Sequence, residues 1–147
     1  MIRLQKYLLL VVALGSYCLS CSSEPEKRST VATTNRRADY IRQIPGSNDS
    51  IPFKEAQRGE VLIAYSDCHT CHTRDKRAKG PAFTDIAERY PVNRNHIEYL
   101  AHRIINGGYG AWGRPVMSPH PNLSREDAEL MVKYILSLKA DGALLVP

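Results

Sequence analysis

A chain of 147 residues, of which 43% are hydrophobic and 24% are charged, has the length and composition of a single domain. Its formal net charge is +5, and leaving out Arg3 and Lys6 of the leader gives 18 basic against 15 acidic residues, or +3. Because this excess is small and no basic helix is interleaved with aromatic residues, the charge gives no indication of a nucleic-acid partner.

Residues 1–20 have the pattern of a secretory signal peptide. Arg3 and Lys6 form a positive start, and residues 7–19 form an apolar run that small residues follow. The run is too short for a helix that crosses a membrane. We therefore predict that the segment is cleaved and the protein exported, with a retained membrane anchor as the alternative.

The signal ends in Cys18-Leu19-Ser20-Cys21, which resembles a bacterial lipoprotein signal, except that Cys18 stands where such signals prefer Leu. The resemblance implies that Cys21 receives lipid, becomes the mature N-terminus and anchors the protein to a membrane. Ordinary cleavage near Ser22 is the alternative. The expected location is the periplasm or the cell envelope.

Residues 21–51 are predicted to form a flexible tether. They are rich in Ser, Thr, Asn, Arg and Glu, and they hold too few large apolar residues to offset the entropy of ordering them. A coil of this length has a root-mean-square span of roughly 30 Å. The composition leaves open whether the stretch Ile44-Pro45-Gly46 packs locally.

Residues 52–141 are predicted to form an all-α domain, with a C-terminal tail at 142–147. Apolar periodicity predicts four helices, at about 54–66, 82–88, 95–106 and 124–139. Gly107 supplies a stop for the third helix, and Ser124 is a good N-cap for the last. Four short helices make a small core, and domains of this size often need a cofactor, a disulfide or a metal ion for stability.

The sequence Cys68-His69-Thr70-Cys71-His72 is a C-x-x-C-H motif, the attachment signature of c-type haem. Two thiols three residues apart on one turn can reach the two vinyl groups along one porphyrin edge, and the next residue then ligates the iron. The motif predicts one covalent haem held by Cys68 and Cys71, with His72 as proximal ligand. A thioredoxin-type site would need a βαβ setting, and a zinc site would need a second pair of ligands.

A proximal histidine needs a hydrogen-bond acceptor for its second ring nitrogen, and the carbonyl of Pro81 is a candidate. The candidates for the sixth ligand are Met117, Met131, His96, His102 and His120. Met131 lies on the apolar stripe of the last helix, and the histidines of the third helix are predicted on its solvated side. Met117 lies in a proline-bracketed stretch that can aim its thioether at iron. His120 remains the competitor.

The chain resembles class I cytochromes c, especially the short bacterial monohaem type, over residues 53–139. The resemblance rests on the C-x-x-C-H motif, Lys79-Gly80-Pro81-Ala82-Phe83, Gly110-Ala111-Trp112-Gly113 and Met117. It implies a small all-α fold of about four helices around one haem. It also implies that His72 and Met117 ligate iron, that the Pro81 carbonyl holds His72, and that Trp112 packs near a haem propionate. Gly59 and Tyr134 would meet where the first and last helices cross.

The function implied is electron transfer between redox proteins, with no catalytic residue, no enzymatic activity and no small-molecule substrate. A basic loop after the motif (Arg74, Lys76, Arg77 and Lys79, with Arg114 as a further candidate) can steer an acidic partner or form only a solvated surface.

Two other functions remain as alternatives. One is a haem-based gas sensor, or a haem subunit of a larger oxidoreductase complex, with a displaceable sixth ligand. The other is a zinc or disulfide module without haem.

Overall fold

The computed structural model describes residues 36–139 and 145–147. The predicted signal peptide, the lipidation at Cys21 and the first part of the tether lie outside these residues, as do positions 140–144. None of the helices within the described residues combines the length and the apolar character needed to cross a membrane.

Five α-helices and one 3₁₀ turn make up most of the described chain. The helices are α1 (Arg36–Ile41), α2 (Phe53–Ala64), α3 (Phe83–Arg89), α4 (Arg94–Asn106) and α5 (Arg125–Ser137), and the 3₁₀ turn is Cys68–Thr70. The strands are β1 (Ile51–Pro52), β2 (Gly108–Gly110), β3 (Gly113–Met117) and β4 (Leu145–Val146). β1 pairs in parallel with β4, and β2 pairs antiparallel with β3. The predicted all-α class is confirmed, with two short strand pairs that the sequence analysis did not predict.

The helix ends follow from side-chain caps and a glycine. The Ser124 hydroxyl accepts a hydrogen bond from the backbone N–H of Asp127 at 3.0 Å, as an N-cap does. Asn93 caps α4 in the same way through the N–H of His96. Gly107 ends α4 with a φ of 69°, a left-handed conformation that favours glycine.

The core is built where α2 crosses α5. Gly59 is buried on α2, and a Cβ added there would overlap the backbone carbonyl oxygen of Leu130 and come within 3.0 Å of the Tyr134 Cβ. The predicted meeting of Gly59 and Tyr134 is therefore close to what the structure shows. The tightest contact is with the helix backbone rather than with the tyrosine ring, so glycine here lets two helix backbones approach each other.

Residues 36–50, which we call the N-terminal strap, were expected to belong to the flexible tether, and the structure differs on this point. Ile41 is only 3% exposed. The backbone N–H of Ile44 donates to the carbonyl of Arg89 at 2.8 Å, and Asn48 accepts from the N–H of Val92 at 2.8 Å. A few apolar anchors and backbone hydrogen bonds therefore order a segment whose average composition is polar.

Candidate haem-binding site

A cavity of about 380 Å³ opens on one side of the helical core. Its walls come from the 3₁₀ turn, α4, α5 and the β2–β3 hairpin. The structure brings all six predicted site residues to its lining: Cys68, Cys71, His72, Pro81, Trp112 and Met117. Most other wall residues are apolar, including Ile63, Leu100, Ile104, Val132 and Ile135. Such a cavity suits a large apolar ligand with a few polar contacts at fixed positions.

The 3₁₀ turn and the residue that follows it present both thiols of the motif to the cavity. The N–H groups of Cys71 and His72 both donate to the carbonyl of Cys68, at 3.2 and 3.0 Å. Cys68 is half-buried, Cys71 is exposed, and both are free thiols. The Ser66 hydroxyl donates to the Cys68 sulfur at 2.9 Å, which fixes that side chain further. The turn therefore places two thiols and an imidazole along one edge of the cavity.

The His72 ring is held in one orientation by its neighbours. Its Nδ1 donates to the Pro81 carbonyl oxygen at 2.7 Å. Because a carbonyl can only accept, the hydrogen is on Nδ1, and the lone pair of Nε2 is left for a metal. The Phe83 ring stacks on the imidazole with 5.5 Å between centroids and 15° between planes. The predicted pairing of His72 with Pro81 is present in the structure.

Gly80 makes room for that ring, and the sequence analysis missed this role. A Cβ added at Gly80 would lie 2.6 Å from Cε1 of His72, closer than side chains tolerate. The dipeptide Gly80-Pro81 indicated either a turn or an acceptor for His72 at the Pro81 carbonyl, but it assigned no role to the glycine itself. The signal available in the sequence was that this glycine lies eight residues after His72 and directly before Pro81. A residue next to the proline that contacts the imidazole is itself close to that ring.

Met117 is carried by a hairpin rather than by an irregular stretch. It ends β3, where it pairs with Gly108 of β2. Met117 is half-buried and lines the cavity, whereas the preceding Val116 is 75% exposed. A Cβ added at Gly107 would lie 2.5 Å from the Met117 carbonyl oxygen, so this glycine lets the strand return close to the end of α4.

The other candidate ligands have different surroundings. His120 uses both ring nitrogens, with Nδ1 at 3.1 Å from the Ile104 carbonyl and Nε2 at 3.1 Å from the Asp67 carboxylate. His102 is exposed, as predicted. His96 is half-buried against Tyr90, so the prediction that it lies on the solvated side was wrong. Met131 is 2% exposed within the core, although it also contributes to the cavity wall.

Trp112 lies at the turn of the hairpin and lines the cavity. Arg89 lies over its ring, with 4.7 Å from the guanidinium carbon to the centroid, and also donates to the carbonyl of Ala111 at 2.7 Å. Tyr40 of the strap packs against the same indole at 5.1 Å between centroids. The tryptophan is therefore fixed by residues from α1 and α3 that sequence reasoning did not connect with the site.

The donor set fits a covalently attached haem better than a zinc ion. Within residues 36–139 and 145–147, no three His, Cys, Asp or Glu side chains come together as a metal site. The side chains that do come together are two thiols, one oriented imidazole and one thioether, around an apolar cavity. Thioether bonds to a porphyrin, with one nitrogen and one sulfur axial ligand, need this donor set.

Comparisons with known proteins define the class as single-haem c-type cytochromes. The cytochrome c family profile matches residues 56–139. Cytochrome c-552 of Hydrogenobacter thermophilus is 35% identical over 80 residues, covering 54% of this chain and 81% of the relative. Cytochrome c-552 of Nitrosomonas europaea is 37% identical over 84 residues, covering 57% and 82%. The crystal structure of wild-type Nitrosomonas europaea cytochrome c552 superposes with a TM-score of 0.52 at 36% identity, covering 54% of this chain and 99% of that one.

The chain belongs to the cytochrome c family. The fold is that of class I cytochromes c, the cofactor is one covalent haem c, and the protein is an electron carrier rather than an enzyme. Its partners are therefore redox proteins. These conclusions confirm the fold, cofactor and general function predicted from the sequence.

Proposed function

We propose that this protein holds its haem through Cys68 and Cys71, with His72 and Met117 as axial ligands, and carries single electrons between partners outside the cytoplasm. The observation that carries the ligand assignment is the hydrogen bond from His72 Nδ1 to the Pro81 carbonyl at 2.7 Å. It leaves Nε2 as the free nitrogen of a ring that lines the same cavity as Met117.

Each residue has a separate task in this assignment. The haem supplies an iron that alternates between ferric and ferrous states. Pro81 and Phe83 orient the imidazole, which fixes ligand geometry and basicity. The Met117 thioether is a soft neutral ligand that favours the reduced state and raises the reduction potential. If His72 and Met117 both bind the iron, no open position would remain there for a substrate.

His120 is the competitor, and its contacts argue against it. Each ring nitrogen of His120 lies 3.1 Å from an oxygen, Nδ1 from the Ile104 carbonyl and Nε2 from the Asp67 carboxylate, so either nitrogen would have to leave that contact to bind iron. Met117 has no such competing role.

An absorption spectrum of the purified protein, taken oxidised and reduced from the visible to the near-infrared, tests the ligand set. We expect a low-spin c-type reduced spectrum and the weak oxidised band of sulfur ligation. Met117→Leu should abolish that band, and Met131→Leu, a change of similar size elsewhere on the cavity wall, should keep it. Rapid carbon monoxide binding to the reduced wild-type protein would instead favour the sensor function with a displaceable ligand.

The charge around the cavity suits an acidic redox partner. Lys79 lines the cavity, and Arg74 and Lys76 are exposed beside it in sequence. Steering by such charges raises association rates and weakens with ionic strength. With hexacyanoferrate as an anionic probe, Lys79→Gln should slow electron transfer and flatten its dependence on salt. Lys54→Gln, an exposed lysine on α2, is the control, and equal effects of both variants would contradict the proposal.

The location outside the cytoplasm rests on the sequence of residues 1–21. The charged start, the short apolar run and Ser20-Cys21 support export and lipidation of Cys21. Cell fractionation tests this, because Cys21→Ala should release the holoprotein from membranes into the soluble fraction. A wild-type protein that is already soluble would favour cleavage near Ser22 without lipid.

A further inference from the structure

The indole of Trp112 forms part of the cavity wall and contacts the N-terminal strap. Tyr40 of the strap packs against it with 5.1 Å between ring centroids and 52° between planes. The strap lies before residues 56–139, which the cytochrome c profile matches. The tryptophan is therefore supported by a segment that precedes the matched region.

Tyr40 is held by its own neighbours. The guanidinium of Arg77, in the loop after the C-x-x-C-H motif, lies over the tyrosine ring at 4.2 Å from its centroid. The next residue, Ile41, is buried and anchors the end of α1. The tyrosine ring thus lies between the loop after the motif and the hairpin that ends at Met117.

The strap is also fixed to α3, which carries the second partner of Trp112. The backbone N–H of Ile44 donates to the Arg89 carbonyl, and the Arg89 side chain reaches Trp112 and Ala111. Near the start of the strap, Arg37 forms ion pairs with Asp85 and Glu88 at 3.2 and 2.7 Å. One short segment therefore supports both residues that pack on the tryptophan.

We propose that Tyr40 is a positioning residue for the haem site, which it serves by holding Trp112 and the β2–β3 hairpin in place. This rests on the haem site proposed above. The ferric haem carries one more positive charge than the ferrous haem, so water admitted to the cavity favours the ferric state. A strap that keeps the tryptophan wall closed raises the reduction potential and reduces local opening of the hairpin.

The test compares Tyr40→Ala, Tyr40→Phe and Tyr65→Ala in the full-length holoprotein. Tyr65 is the control because it is 91% exposed and does not line the cavity. We expect Tyr40→Ala to lower the reduction potential in a spectroelectrochemical titration. It should also speed amide hydrogen exchange in residues 108–117 roughly two- to tenfold, as loss of one aromatic pair predicts. Tyr40→Phe should keep the reduction potential and the exchange rate close to those of the wild type, and Tyr65→Ala should change neither.

A second variant keeps the test independent of any folding defect in Tyr40→Ala. Arg77→Gln removes the cation over the tyrosine ring and leaves Ile41 in place, so both readouts should move in the same direction by a smaller amount. Unchanged potential and exchange in Tyr40→Ala would overturn the proposal. So would exchange that rises equally in α5, since that indicates general destabilisation. A wild-type spectrum without sulfur ligation would instead count against the proposed ligand set.

Discussion

Nε2 of His120 lies 3.1 Å from the carboxylate of Asp67, so the loop after Met117 is tied to the residue just before Cys68. Nδ1 of the same ring reaches the carbonyl of Ile104 on α4, also at 3.1 Å. One imidazole thereby joins the methionine loop, the cysteine turn and a core helix. We infer that His120 supports the geometry of the proposed Met117 ligand without contacting iron.

Replacing His120 should loosen Met117 without removing it from iron. His120→Gln should keep the sulfur-ligation band at room temperature and lose it at a lower temperature than the wild type. The expected loss is about 0.5–1.5 kcal/mol, since Asp67 is largely exposed and the pair is screened by solvent. Thermal melts followed at that band measure it, with the exposed His102→Gln as control. A band that is lost at the same temperature in His120→Gln and in the wild type would contradict this role.

Gly59→Ala should destabilise the crossing of α2 and α5. Alanine favours a helix by about 1 kcal/mol over glycine, but here its methyl group would overlap the Leu130 carbonyl, which cannot move without shifting α5. We expect a net loss of about 1–3 kcal/mol in the free energy of unfolding. Denaturant titration measures it, and Gln57→Ala, an exposed position on the same helix, should change it little. A stabilised Gly59→Ala protein would show that the helices can separate at low cost.

Gly80→Ala should disturb the proximal histidine. The added methyl group would meet the His72 ring at 2.6 Å, and the Pro81 hydrogen bond and the Phe83 stack prevent a simple rotation. We expect a loss of about 1–3 kcal/mol in stability and less haem-loaded protein, which intact-mass spectrometry quantifies. Ala78→Ser, a small change at an exposed neighbouring position, is the control. Equal haem loading and stability in the two variants would contradict the role assigned to Gly80.

Alkaline pH should destabilise the fold partly through Tyr90. Burial raises the pKa of this phenol, and Tyr99 adds to the shift while Arg89 opposes it. Because the pKa is higher in the folded than in the unfolded state, the contribution of Tyr90 to the free energy of unfolding is fully present below the ordinary tyrosine pKa of about 10. That contribution declines as the pH rises above this value. Tyr90→Phe should reduce that decline in denaturant titrations between pH 8 and 11, whereas Tyr65→Phe should not. An identical decline in Tyr90→Phe would contradict the assignment.

The helices of the domain and the ligand motif were accessible from sequence because their signals are local. Periodicity placed α2, α4 and α5 within about two residues of their observed ends, and the Ser124 cap was predicted at its position. The C-x-x-C-H motif needs no tertiary information, since its chemistry depends on spacing within one turn. Met117 was preferred over His120 by its surroundings in sequence, and the contacts of His120 support the same preference.

The strap and the hairpin were missed because their signals are not local. Tyr40, Ile41 and Ile44 provide apolar contacts of the strap, and in the sequence they are diluted among polar residues. The hairpin has glycine at both ends of β2 and a proline within β3, so strand alternation is absent from its sequence. The partners of the strap lie far away in the chain, as the contact of Tyr40 with Trp112 shows.

The crossing at Gly59 and Leu130 joins two helices that are distant in the chain. Residues 65–124, which include the cysteine turn, form a loop that this contact closes. Closing a long loop costs entropy before its contacts form, and such topologies fold more slowly than those built from local contacts. We therefore expect the pairing of α2 with α5 to limit the rate of folding more than the local pairing of β2 with β3 does.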